Sequence, residues 1–502
     1  MSKELYNQYV EKLQKIQDIN ASIALLHWDH EVNAPKKGAP FRSRQLATLS
    51  AMSHEMIVDT DLGVLLEQLN ADKSELSETE ARNVELTLED YQKATKLPSS
   101  FVKELSLARS AAYQAWIAAR KAEDFSLYKE ALSNIVALKR KEAKLLGYEG
   151  HPYNALLNDY EKGATVAQLD VLFGDVRKQL VEFAKVIRES GTATENGFLH
   201  EHYDKDKQWQ LGLDLLKQMG YDFDAGRQDI SEHPFTTSFA PMDVRVTTRI
   251  SETDPLSMIG SCIHEGGHGL YEQGLKAENY GLPAGFATSL GIHESQSRLW
   301  ENNVGLGFAY WKNNFPRLQK LFPEQLADVT AEQFYKGANQ LKPNLIRVDA
   351  DEIHYHLHVL IRYEIEKGLI EGSIEVENLD QIWNEKYKEF MGVEVPNAKK
   401  GVLQDVHWCE GLFGYFPTYS LGSFYAAQFY TQAKKDIPNL EASIEEGNMQ
   451  PLLDWLREHI HQYGRLYTSE EFCKRITGEG LSLKYFMDYA KRKYSYIYNL
   501  KL

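Results

Sequence analysis

The stretch DPLSMIGSCIHEGGHGLYEQGL, Asp254 to Leu275, decides how the rest of the sequence is read. Asp254 followed by Pro255 has the form of a helix start, an N-cap residue and then proline at the first helical position. The spacing predicts a helix over 256–275. At about 100° per residue, His264 and His268 fall on one face, so both imidazoles reach one metal ion. Glu265 lies beside that face, too far round to be an equal ligand but placed to meet a water. Neutral nitrogen ligands, an open position and a base for the water are what zinc hydrolysis requires. The competing reading is two ordinary histidines on a core or surface helix. Gly266 and Gly267 need an account of their own, because a mid-helix glycine costs about 1 kcal/mol relative to alanine. Close approach of substrate or of a neighbouring helix is expected to offset them.

A third ligand has to come from elsewhere. Tyr271 and Gly274 stand where a metzincin carries its glycine and third histidine. Downstream, HESQSRLWEN (293–302) supplies His293, Glu294 and Glu301 on an expected second helix. Glu294 is the preferred candidate; enough chain separates it from His268 for a turn and an adjacent antiparallel helix. An ordinary surface carboxylate is the alternative. HYHLH gives a rival pair, His354 and His358, with His356 between them. It lacks a glutamate after the first histidine, and a helix face explains it.

Working outward, the flanking sequence is dominated by amphipathic helix patterns. Residues 3–30 place Leu5, Tyr9, Leu13, Ile16, Ile19, Ile23 and Leu26 near helical spacing. Similar patterns cover 41–70, 75–95, 98–121, 125–146, 165–190 and 206–219. Only 231–251, SEHPFTTSFAPMDVRVTTRIS, reads as β structure, through the alternation of Val244, Val246 and Thr248. The expected fold is mainly α with one small sheet near 235–250. It forms a single unit over 1–502, with a division into two lobes near residue 230.

Composition removes several function classes. The chain has 502 residues and a net charge of −16, so it is a poor non-specific binder of nucleic acid or of an anionic membrane. No apolar run approaches the roughly 20 residues of a membrane helix. The N-terminal MSKELYNQYVEKL is amphipathic and lacks an apolar signal core. Three cysteines, Cys262, Cys409 and Cys473, argue against a disulfide framework and for the cytosol.

Two later stretches are unusually polar. IRVDAD (346–351) sets Arg347 among apolar and acidic residues. A planar guanidinium suits a terminal carboxylate, although pairing with Asp349 or Asp351 is the commoner fate of such an arginine. GVLQDVHWCEGLFGYFPTYSLG (401–422) carries Gln404, Asp405, His407, Tyr415 and Tyr419. A histidine or tyrosine near zinc suits a developing oxyanion, and packing is the ordinary role of a lone tyrosine.

Taken together, these segments resemble the carboxypeptidase Taq family of zinc metallocarboxypeptidases. The resemblance spans essentially the whole chain. HPF stands at His233–Phe235, DxRxT at Asp243, Arg245 and Thr247, and HExxH at His264–His268. HES/GQ stands at His293–Gln296, IRxxAD at Ile346–Asp351, and GxxQDxHW at Gly401–Trp408. LHWDHEVNAPKKGA (26–39) and GYEGHPYNALLNDYE (147–161) look like that family as well. The resemblance implies a helical zincin-type fold with a deep active-site groove. It implies His264, His268 and Glu294 as metal ligands and Glu265 as catalytic base. Arg347 would anchor the substrate's terminal carboxylate, and His233, Arg245, Asp351 and Gln404 are further substrate-binding candidates. His407, with Tyr415 or Tyr419, would steady the oxyanion, and Asp351 or Asp405 would orient a ligand histidine through its second nitrogen. The implied cofactor is one Zn2+ per chain, with Co2+ able to substitute. The implied partners are peptides with a free C-terminus and a second copy of the chain. A neurolysin-type endo-oligopeptidase, with its third ligand at His293, is the alternative enzyme reading; a non-catalytic helical binding protein is the alternative outside enzymes.

Overall fold

The computed structural model describes residues 2–192 and 194–501. Helices make up 70% of the protein, with one three-stranded sheet, so the mainly α expectation holds. Chain contacts divide it into two units. The first comprises residues 2–95, 195–338 and 425–481; the second comprises the described residues of 96–194, with 339–424 and 482–501. Each is assembled from three separate stretches, and residue 230 lies inside the first. Among the described residues no helix is long and apolar enough to cross a membrane, and all three cysteines are buried and free of disulfides.

Helix boundaries follow capping chemistry. The N-terminal helix, Ser2–Val32, buries Tyr6, Tyr9, Leu13 and Ile16 against Leu62, Leu65, Leu66, Val84 and Leu88. The helical pattern over 41–70 breaks into Ala39–Ile57 and Thr60–Ala71. The break falls at Asp59, whose side chain accepts from the Asp61 amide and so starts a new helix. Thr165 and Gln168 form a reciprocal capping box at the head of Val166–Glu189.

The sheet lies in the first unit. Strands β1 (Gly226–Ile230), β2 (Thr236–Ala240) and β3 (Asp243–Thr248) are ordered β1-β3-β2. β2 pairs antiparallel with β3, and β1 pairs parallel with it. The expected alternation holds over Val244 and Val246; at the end of β3 Thr247 and Thr248 are both buried. β1 was not expected, because GRQDI carries one apolar residue and no period of two.

The helix predicted over 256–275 runs Pro255–Gln273. It is clamped on three sides. Towards the sheet, Ser261 is hydrogen-bonded to Thr248 (2.7 Å), Cys262 donates to Gln228 (3.3 Å), and Gly269 faces Val246 and Tyr221. Gly266 faces Leu216 and Met219 of the helix Lys205–Met219. Gly267 faces the backbone of the helix Leu290–Arg298. A Cβ on Gly267 would lie 2.7 Å from Ser297 Cα and 2.8 Å from the Gln296 carbonyl oxygen. The double glycine is therefore a device for helix–helix contact.

In the second unit the helix His354–Glu371 is buried on almost every side. Its Arg362 is fully buried and donates to Asp405 Oδ2 at 2.7 Å. The C-terminal helix Leu483–Tyr498 holds the start of this helix through Lys493 and Tyr494, each 2.7 Å from Glu352 Oε1.

The Gly267 contact makes a direct prediction. Gly267→Ala forces two backbones apart and should destabilise the protein by about 1–3 kcal/mol, read as a lowered midpoint in chemical denaturation. Gly260 has nothing within 4 Å of its virtual Cβ, so Gly260→Ala on the same helix should be neutral or stabilising. Equal effects at the two sites would contradict the close-approach account.

Candidate metal centre and active site

The two faces that meet at Gly267 carry the three expected ligands. His264 and His268 project from Pro255–Gln273, and Glu294 from the second turn of Leu290–Arg298. Glu294 Oε2 lies 3.7 Å from His264 Nε2 and 3.4 Å from His268 Nε2. Tetrahedral zinc with bonds of about 2.0–2.1 Å places its ligand atoms roughly 3.3–3.4 Å apart. The spacing therefore suits one small divalent ion. Among the described residues this is the one group of three metal-ligating side chains.

The outward-facing atoms fit the same purpose. His264 Nδ1 donates to Glu301 Oε2 at 2.8 Å. His268 Nδ1 meets His293 Nδ1. Glu294 Oε1 accepts from Arg298 Nε at 2.7 Å, while Oε2 accepts from Ser297 Oγ at 3.0 Å and faces the two histidines. Arg298 also donates to Glu301 Oε2 at 3.0 Å. Glu301 lies in a π-helical turn, Leu299–Gly305, that continues the Glu294 helix.

Burial sets the electrostatics. By itself it would lower the His264 pKa, but the Glu294 and Glu301 carboxylates outweigh it and raise the pKa to about 9. His268 is pushed down to about 3 by burial and by His293. Burial opposes ionisation of Glu294, yet Arg298 and the two histidines hold it well below the usual carboxylate range. Glu265 is raised, chiefly by burial. Its Oε2 accepts from Thr236 Oγ1 at 2.7 Å, which ties the carboxylate to edge strand β2. Nothing in the sequence marks Thr236 for this contact; Arg298, four residues past Glu294, carries the ordinary helical salt-bridge spacing.

The other candidates fall into separate groups. His233 is exposed, and its carbonyl accepts from Ser231 Oγ. Arg245 sits on β3, donates to both Asp243 oxygens, and stacks 4.3 Å from the Trp28 ring and 4.9 Å from that of Phe239. Arg347, Asp351, Gln404, His407, Tyr415 and Tyr419 belong to the second unit.

Arg347 is buried and paired, but not with Asp349 or Asp351. Its Nε and Nη2 donate to Asp405 Oδ1 at 3.0 and 2.9 Å, and Nη1 donates to the Tyr355 hydroxyl at 2.8 Å. Of the five guanidinium N–H bonds, one on each terminal nitrogen is left over. Gln404 holds the Arg347 backbone: its Oε1 accepts from the Arg347 amide at 2.9 Å, and its Nε2 donates to Leu345 O. Asp405, shared by Arg362 and Arg347, is kept ionised far below the ordinary aspartate range despite its burial.

His407 is pushed down to about 3 by burial and then by Arg347, so it is neutral around pH 7. Its Nε2 is 3.2 Å from the Tyr419 hydroxyl, whereas Tyr415 packs against it ring to ring. Asp351 accepts from the backbone amides of Ile353 and His354, and from His354 Nδ1 at 2.7 Å. Asp351 and Asp405 are thus engaged elsewhere; His264 and His268 turn to Glu301 and His293 instead. The rival His354/His358 pair is structural, since His358 is spent on Tyr387 and the Asn344 carbonyl.

With this geometry in place, comparison with known proteins identifies its setting. Residues 8–494 match carboxypeptidase Taq (M32) metallopeptidase. The chain belongs to that family. It is therefore a metal-dependent carboxypeptidase, a peptide hydrolase. Thermostable carboxypeptidase 1 of Thermus thermophilus is 39% identical, over 99% of this chain and 100% of its own. A carboxypeptidase of the family from Deinococcus radiodurans has 37% identity and a TM-score of 0.97, over 99% of this chain and 100% of the other. A solved chain named CHT has 58% identity and a TM-score of 0.96, over 98% and 99%.

The raised His264 pKa carries a signed prediction. Below about pH 9 the metal-free protein holds a second proton on His264, and a metal takes only the neutral ring. Metal uptake at pH 7 should release about one proton, falling towards zero above roughly pH 10. Calorimetry in buffers of differing ionisation enthalpy reads this directly. Uptake at pH 7 with no proton released would contradict a doubly protonated His264 in the metal-free protein.

Proposed function

We propose that the protein is a zinc carboxypeptidase that removes single amino acids from the free C-terminus of peptides with broad specificity, cobalt substituting for zinc. His264, His268 and Glu294 hold the metal, Glu265 is the proton-transfer residue, and Arg347 anchors the terminal carboxylate. The observation that carries this reading is the convergence of two Nε2 atoms and one carboxylate oxygen at ligand spacing, in a chain of this family.

When bound, zinc would polarise the scissile carbonyl and acidify water. Glu265 takes the proton of the attacking water as its oxygen bonds to the carbonyl carbon. It returns that proton to the departing amine nitrogen as the C–N bond breaks. Its burial favours this role, because a raised pKa brings a carboxylate closer to working pH, and Thr236 fixes its orientation. Arg347 offers two remaining N–H bonds to a carboxylate, while Asp405, Tyr355 and Gln404 hold it in place. Tyr419, hydrogen-bonded to neutral His407, is the better choice for oxyanion support than Tyr415.

The neurolysin-type alternative needs His293 as the third ligand. His293 has both ring nitrogens on other groups, His268 and Glu272, which favours Glu294.

Two variants test the roles. Glu265→Gln should keep its metal and lose about 100- to 10,000-fold in kcat; near-normal turnover at full zinc occupancy would reject the base. Arg347→Ala should keep its metal and raise KM for free-acid peptides by roughly 10- to 100-fold. If the unaltered enzyme cleaves C-terminally amidated peptides as well as free acids, Arg347 is not a carboxylate anchor.

A further inference from the structure

The two ligand histidines turn Nδ1 outward to different kinds of partner. His264 reaches a carboxylate directly, Glu301 at 2.8 Å. His268 reaches a second imidazole: its Nδ1 meets His293 Nδ1, with the ring centroids 4.5 Å apart. The far nitrogen of that ring, His293 Nε2, lies 2.8 Å from Glu272 Oε1. Glu272 sits one helical turn beyond His268 on the same helix, and His293 immediately precedes Glu294. The ring of Tyr271 packs 5.3 Å from that of His293.

The proton positions follow from donor and acceptor rules. A carboxylate only accepts, so His293 carries its proton on Nε2 and donates to Glu272. The neutral ring then offers a bare lone pair at Nδ1. Two nitrogens in contact share one proton, so His268 supplies it from its own Nδ1. That tautomer leaves the His268 Nε2 lone pair directed at the Glu294 side, where Oε2 lies 3.4 Å away. The opposite tautomer would put hydrogen on Nε2 and close the position to a metal.

We propose that His293 and Glu272 are a positioning pair that fixes the metal-binding tautomer and ring orientation of His268 for a divalent cation, through the chain Glu272–His293–His268. This rests on the reading of His264, His268 and Glu294 as ligands. His293 is not itself a ligand. The centre is asymmetric: one histidine is held by a carboxylate, the other by a carboxylate acting through an imidazole.

The test measures zinc affinity of the metal-free full-length protein by competition with a chromogenic chelator, alongside its thermal midpoint. His293→Leu should weaken zinc binding about 10- to 100-fold. His293→Asn should recover most of that loss, because its Oδ1 stands near the lost Nδ1 and accepts from His268. Glu272 is half-buried and gives a second pair of variants: Glu272→Gln keeps an accepting oxygen and should bind like the parent, whereas Glu272→Leu should bind more weakly. The midpoints of the metal-free variants should stay together. Unchanged affinity in both leucine variants would overturn the proposal. So would a His293→Asn protein as weak as His293→Leu, or a His293→Leu protein that loses zinc as completely as Glu294→Ala. A parent protein that takes up no zinc would instead reject the ligand assignment beneath it.

Discussion

The contact of two helix backbones at Gly267 is the constraint on which the site depends. The histidines need only helical spacing to share a face. The third donor arrives from a separate helix, and it reaches them because no side chain separates Gly267 from Gln296 and Ser297. The cost of two mid-helix glycines, about 1 kcal/mol each, is offset by the packing they permit. The other sides of the same helix are fixed by the sheet and by Leu216 and Met219. Glu265 gains its orientation from that sheet, through Thr236. One helix thus meets Glu294 from one neighbour, and its own Glu265 is oriented by another.

Around this contact the charges are arranged to keep donors available. Burial disfavours ionised Glu294 and Glu301, and Arg298 bonds to both. The result is a carboxylate with one oxygen on Arg298 and the other facing the histidines. Removing one charged partner from such a buried set leaves the remaining charges uncompensated, which costs more than losing a surface ion pair. Arg347, Asp405 and Arg362 follow the same logic in the second unit: Asp405 spans two arginines and fixes the Arg347 fork.

Much of this was legible in the sequence. The i, i+4 histidines, the proline-started helix, the Val244–Val246 alternation and the placement of Glu294 beside the histidines are all present in the fold. The two glycines were readable as a question, and the structure answers with a neighbouring helix. Four features were not legible. β1 is short and polar, so it carries no period. The discontinuous units leave no linker composition, because each is joined by contacts between distant stretches. The partners of His264 and His268 depend on helix–helix geometry: Asp351 and Asp405 had suitable chemistry, but Asp351 is bonded to Ile353 and His354 and Asp405 is committed to arginines. Which of Tyr415 and Tyr419 bonds to His407 likewise required the position of that ring.

The central claim is that one metal ion joins the two helices through His264, His268 and Glu294. Diffraction from zinc-loaded crystals, recorded on both sides of the zinc absorption edge, tests it most directly. The account predicts a single anomalous peak per chain, about 2.0–2.2 Å from His264 Nε2, His268 Nε2 and a Glu294 oxygen. A peak bonded to His293 in place of Glu294, or one seated at His354 and His358, would contradict it.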